Sequence, residues 1–106
     1  MIYAAAIRQA LEDAMVADPS VVVLGQAVDD VKPTYGTTQG LAEKFGPERA
    51  FNTPLSEEGM TGVAVGMALA GLRPVLVHIR ADFMLLATNQ MVNMMAKIRH
   101  MYGGRL

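Results

Sequence analysis

Cysteine is absent from the 106-residue chain. Disulfides and thiolate metal sites are thereby excluded, and a reducing compartment such as the cytoplasm is expected. Charge of either sign is scarce, with nine Lys and Arg against ten Asp and Glu and a net charge of −1. That balance gives no electrostatic reason to expect nucleic acid or an anionic membrane as a partner. The only histidines are His78, in a strand-like run, and His100, at a helix end. No histidine metal cluster is expected from them. The longest apolar segments are interrupted by polar residues and are too short to span a bilayer. Met1 leads into an amphipathic stretch holding Glu12 and Asp13, not into a basic patch followed by an apolar run, so no secretory signal is expected. Internal repeats and low-complexity stretches are missing too.

What the chain does have is apolar mass. It is 52% hydrophobic, which rules out a disordered polymer, and its length allows one domain at most. Nine methionines supply adaptable apolar surface for a core or a contact.

Periodicity gives the elements. Ile7, Leu11, Ala14 and Met15 follow helical spacing, so a helix is expected over Tyr3–Val16, stopped by Asp18-Pro19. Arg8 and Glu12 are spaced for a weak helical ion pair on its outer side. Val21–Leu24 is a continuous aliphatic run, the mark of a strand buried on both faces of a parallel sheet. Gly25–Gly36 reads as a loop. Its adjacent Asp29 and Asp30 suit a solvated turn better than a metal site, which needs more oxygen ligands than the loop offers. Thr37 or Thr38 is expected to cap a short helix through Leu41 and Phe45. Ala50–Thr53 and Val75–Ile79 are expected strands. Asp82 is placed to cap a last helix from Phe83 to about Met101, apolar nearly all round and hence buried on more than one side. Strands alternating with helices predict an α/β fold with a parallel sheet and helices on both faces.

The stretch Phe51–Gly71 organises the rest. Ser56 is placed to cap a helix, with Glu57 and Glu58 in its first turn, where the helix dipole favours negative charge. Gly59, Gly62 and Gly66 share one helical face, and each costs about 1 kcal/mol relative to alanine. Such a face implies close packing on a neighbouring element, with or without a site at Glu57. Pro74 prevents the helix from continuing past Gly71.

Thr53-Pro54-Leu55-Ser56-Glu57-Glu58-Gly59, followed by Gly62, Gly66, Ala68, Gly71, Arg73 and Pro74, resembles the pyrimidine-binding domain of thiamine diphosphate enzymes. The resemblance is strongest to the beta subunit of the decarboxylating component of 2-oxo acid dehydrogenases, of pyruvate, branched-chain or acetoin type. It runs from Ala5 to Gly104 and includes Ala81-Asp82-Phe83, Gln90, Asn93 and Ala96-Lys97. It implies that residues 1–106 form the N-terminal part of a transketolase-like pyrimidine-binding domain, as an incomplete piece.

The resemblance implies further that Glu57 holds a ring nitrogen of the cofactor's aminopyrimidine and promotes its activation. On this reading Phe83 packs beside that ring and the backbone around Leu55 borders it. Without the resemblance, Glu57 decorates a helix terminus and Phe83 is core. Gly62 and Gly66 are expected to shape a subunit contact rather than touch cofactor. The diphosphate and its Mg2+ would be held by an alpha-type subunit. The chain would also meet a second copy of itself, in a heterotetramer, and a lipoyl-bearing acyltransferase.

Several positions depart from the family pattern. Gln26 stands where an acid implicated in proton relay is usual, and an amide exchanges no proton at neutral pH. Val77 replaces an acid on the third strand, Arg80 an apolar residue, and Asn89 an aspartate. Arg80 has the donors to bind a substrate carboxylate, although a surface or ion-paired arginine is the plainer reading, and His78 reads as a core or interface histidine. Two other readings remain open. One is a transketolase-like or deoxyxylulose phosphate synthase-like enzyme fragment. The other is a non-catalytic assembly module.

Overall fold

The aliphatic run beginning at Val21 forms the middle strand of a three-stranded parallel sheet. The computed structural model describes residues 2–106. Helix α1 (Tyr3–Ala17), strand β1 (Val21–Gly25), helix α2 (Leu41–Phe45), strand β2 (Ala50–Asn52), helix α3 (Glu57–Leu69) and strand β3 (Arg73–Val77) follow one another. The sheet order is β2-β1-β3, with Val23 opposite both Ala50 and Val75. All of β1 is buried, as a strand covered on both faces requires. Val21 and Val23 join Met15, Val28, Leu41 and Ala50 in one cluster, on the side of α1 and α2. The two-residue alternation turns Val22 and Leu24 to the other side. There Leu76, paired with Leu24, faces Ala64 and Val65 of α3. The α/β fold expected from the strand and helix alternation is the one found.

Arg49 ties α1 to this sheet. Its Nη2 donates to the carbonyls of Met15, Asp18 and Val21, each at 2.9 Å. These include carbonyls left over at the end of α1, which a planar multi-donor guanidinium is suited to satisfy. Asp18 works at the same corner. It accepts from the Ser20 hydroxyl at 2.6 Å and the Ser20 amide at 2.8 Å, and pairs with Arg73 at 3.1 Å. The Ser20 bonds, helped by the arginines, hold its carboxyl below the usual carboxylate range. The Arg8–Glu12 pair is present and is widened by Lys44 of α2, which also reaches Glu12.

Strand β3 begins two residues before the expected Val75, at Arg73-Pro74. A proline inside a strand signals an edge. The Arg73 amide donates to Ser20 O at 2.9 Å, so by alternation the Pro74 nitrogen faces the free side. Its missing N–H therefore costs β1 nothing. Two expected caps also change. Gly40, not Thr37 or Thr38, precedes α2, and Thr38 is buried beneath it. Ser56 precedes α3, but its hydroxyl makes no capping bond.

The C-terminal end of α3 is closed by two paired bonds. The Leu72 amide donates to Met67 O at 3.0 Å and the Gly71 amide to Ala68 O at 3.1 Å, with Gly71 at φ +96°. This closure needs a residue free to adopt a left-handed conformation. Gly71→Ala is expected to lower stability by about 1 kcal/mol, from left-handed strain alone, because a Cβ there meets no atom within 4 Å. Urea denaturation at constant slope measures it.

The last segment is not the regular, buried helix that its sequence suggests. It is helical throughout but unevenly wound. A tight 3-10 stretch covers Phe83–Ala87, a wide π stretch covers Gln90–Met95, and helix α4 covers Ile98–Met101. Of these residues only Ala87 is buried, and Leu85 is 71% exposed. The segment packs on α3 along one flank. No other described element covers its remaining apolar face. Among the described residues, no helix is long and apolar enough to cross a membrane.

Candidate functional site

Glu57 opens α3 at the C-terminal ends of the strands, where ligands of open parallel sheets gather. The residue is only 9% exposed. It lines a narrow cleft with Gly25, Gln26, Thr53, Pro54, Met60 and His78. Gln26 Nε2 donates to Glu57 Oε1 at 3.3 Å. The amide orientation follows from its other end, since Gln26 Oε1 accepts the Ile79 amide at 3.4 Å. No described side chain bonds to Glu57 Oε2. The Thr61 hydroxyl donates to the Glu57 carbonyl at 2.7 Å, fixing the first turn of the helix.

Gln26 is aimed by a strained turn. Gly25 lies at φ +141° and Ala27 at φ +56°, the only non-glycine residue with positive φ among those described. Left-handed alanine costs about 1–2 kcal/mol, and such strain often marks a functional site. The Gln26 amide donates to Val77 O at 3.0 Å, clamping this turn to the end of β3. Beside it, Asn52 Oδ1 accepts the amides of Val28 at 2.6 Å and Asp29 at 3.3 Å, and its Nδ2 donates to Asp30 at 2.9 Å. Asp30 thus serves to brace the loop. His78 is half-buried on the rim of the cleft, and its Nδ1 is the one buried side-chain polar atom without a partner among the described residues.

Phe83 does not line the Glu57 cleft. It stands on the neighbouring 3-10 stretch, 42% exposed, with the Arg80 guanidinium 5.2 Å from its ring centroid. Arg80 is held in turn by both oxygens of Asp82, at 3.0 and 2.9 Å. Arg80 is therefore the ion-paired surface arginine of the plainer reading, and Asp82 is occupied with it instead of capping. One face of the Phe83 ring is covered by cation–π contact. Leu55 is 78% exposed, just before α3. The glycine face divides. A Cβ on Gly62 would lie 3.3 Å from the Gln90 side chain, whereas one on Gly66 would meet nothing within 4 Å. Close packing within the chain accounts for Gly62 but not for Gly66.

Two contributors escaped the sequence reading. The Gln26–Glu57 contact joins residues 31 apart, and only the strand order brings them together. Asn52 carried a weak signal, as an amide at the end of an expected strand near a pair of aspartates.

The chemistry available is that of a sheltered carboxyl with one oxygen engaged and a half-covered aromatic ring on the adjoining element. Relatives give this a context. The chain is 42% identical over 101 residues to the pyruvate dehydrogenase E1 component subunit beta of Rickettsia bellii, covering 95% of this chain and 31% of that one. It is 41% identical to the mitochondrial subunit beta-1 of Arabidopsis thaliana, covering 95% and 28%. It is 39% identical to the corresponding Rhizobium meliloti subunit, covering 94% and 23%. The chain thus spans less than a third of the length of these relatives. The family model for the transketolase pyrimidine-binding domain matches residues 1–103. With its parallel sheet and a buried glutamate opening the third helix, the chain belongs to the transketolase pyrimidine-binding domain family.

Proposed function

We propose that the chain is part of a thiamine diphosphate-dependent 2-oxo acid dehydrogenase, of pyruvate, branched-chain or acetoin type, and forms the pyrimidine side of a site completed at a subunit boundary. Residues 1–106 would be the N-terminal part of the pyrimidine-binding domain. The observation that carries this reading is the Glu57 carboxyl, sheltered from water with Oε2 left unengaged. A carboxyl in that state suits one hydrogen bond to a heterocyclic nitrogen, and it can share a proton. The cleft behind it is too narrow to hold a ring. The ring would therefore lie across its mouth, against surface contributed by another chain. When bound, the cofactor supplies a carbon nucleophile for 2-oxo acid decarboxylation. Glu57 would hold the proton at the ring nitrogen. Gln26 would orient Glu57 but pass no proton onward. Phe83 and the backbone at Leu55 would flank the ring.

The other partners are an alpha-type subunit holding diphosphate and Mg2+, a second copy of this chain in a heterotetramer, and a lipoyl-bearing acyltransferase, in the cytoplasm. The exposed apolar face of the last segment favours one other reading, a non-catalytic assembly module. Calorimetric titration of Mg2+–thiamine diphosphate separates the two. Saturable binding by a mixture of this chain and an alpha-type subunit, absent with either alone, is expected. Association of the two chains with no cofactor binding would leave only the assembly module. Turnover of sugar phosphates in place of 2-oxo acids would move the assignment to a transketolase-like or deoxyxylulose phosphate synthase-like enzyme.

A further inference from the structure

Four polar side chains run in a line from the first turn of α3 along the last segment. Lys97 Nζ donates to Asn93 Oδ1 at 2.9 Å, Asn93 Nδ2 to Asn89 Oδ1 at 2.9 Å, and Asn89 Nδ2 to Glu58 Oε1 at 2.7 Å. The polarity of this line is fixed by its ends. An ammonium only donates and a carboxylate only accepts, so each amide between them has one workable orientation. Residues 89, 93 and 97 are spaced four apart, and the stretch they cross is the wide π turn, where the Ala96 amide reaches back to Met91 O at 3.0 Å. Turns of that kind concentrate at functional positions.

We infer that Asn89 is a positioning residue, whose hydrogen bond to Glu58 latches the last segment onto the start of α3 and so sets Phe83 beside Glu57. The link is short in sequence on both sides, since Glu58 is the neighbour of Glu57 and Asn89 lies six residues past Phe83. The latch also gives a physical reason for the departure from the family pattern at this position. An aspartate at 89 would still accept from Asn93, but it would place a second carboxylate against Glu58, with a donor only when protonated. Of the two side chains, the amide alone both accepts and donates at neutral pH. That the latch serves cofactor seating rests on the function proposed above. The latch itself is a claim about this chain alone.

Asn89→Asp in the full chain tests it, with hydrogen exchange of the amides in residues 83–101 as the readout. At pH 7 protection in that segment is expected to fall roughly three- to tenfold, the size of one charge-assisted hydrogen bond at a partly exposed site. Acidification to about pH 5 is expected to recover part of the loss in this variant but not in the parent, because the facing carboxylates then share a proton. Glu58 and Lys97 are the charged groups in the line, and Lys97 stays protonated throughout that range. The double variant Glu58→Gln with Asn89→Asp is expected to restore protection at pH 7, since the amide introduced at position 58 can donate to the carboxylate introduced at position 89. Unchanged protection in Asn89→Asp, or a double variant no better than the single, would overturn the latch. A failure to bind thiamine diphosphate would leave these results as they are, so the two ideas fail separately.

Discussion

Glu57→Gln is expected to reduce 2-oxo acid turnover by the assembled enzyme at least about a hundredfold, the usual scale for losing a proton-transfer group. The substitution keeps the shape of the side chain. Gln26 Nε2 can still donate to the remaining oxygen at position 57, and Thr61 still bonds to the backbone carbonyl. Melting temperature and partner association should therefore stay close to those of the parent. What is lost is the ability to hold or release a proton at the ring nitrogen. Steady-state assays, with exchange of the thiazolium C2 proton as a second readout, separate this from poor cofactor retention. Slow exchange with normal affinity is the expected pattern. Near-normal turnover would sink the assignment of Glu57.

Gly25→Ala is expected to be the most damaging single substitution to the fold, at about 4 kcal/mol. A Cβ at this position would stand 2.2 Å from Val77 O, 2.7 Å from its N and 2.9 Å from its C. All three are backbone atoms, so no side chain can swing aside. Overpacking of this kind costs about 1–3 kcal/mol or more, and left-handed strain at φ +141° adds about 1–2. The total is a large part of the 5–15 kcal/mol typical of a domain. Gly46→Ala is the control, because Gly46 has φ +87° but open space around it. Urea denaturation should show a loss several times larger at 25 than at 46. Similar losses at both would mean that β1 and β3 do not meet as closely as described.

How far the sequence could be read depended on whether a residue's neighbours were local. The run Val21–Leu24 announced a doubly covered strand because burial on both faces leaves no polar alternation to see. Helix α3 was legible in position, from Ser56 to the glycine at its end, since its boundaries are set within one or two turns. The cap was not legible. Whether the Ser56 hydroxyl bonds to its own helix depends on the path of the chain before it. Strand β3 was placed two residues late because Pro74 reads as a breaker unless the free edge of the sheet is known. Glu57 itself was identified from the family pattern. Its shelter comes from Gln26, Met60 and His78, whose convergence is a property of strand order. The last segment shows the opposite limit. Its apolar circumference was read as burial within the chain, yet only its flank against α3 is covered.

The uneven winding of that segment carries a consequence for how its length can drift. A π turn holds one residue more than an α-helix needs for the same rise, in effect a stored insertion. Removing a single residue between Gln90 and Met95 would let the backbone relax into ordinary α geometry without losing the helical path. The penalty would be rotational, since everything after the cut would turn by about 100° around the axis. His100 and Tyr102 would then point away from their present directions while Phe83 kept its own. Loss of a codon here would re-aim the end of the segment rather than unravel it.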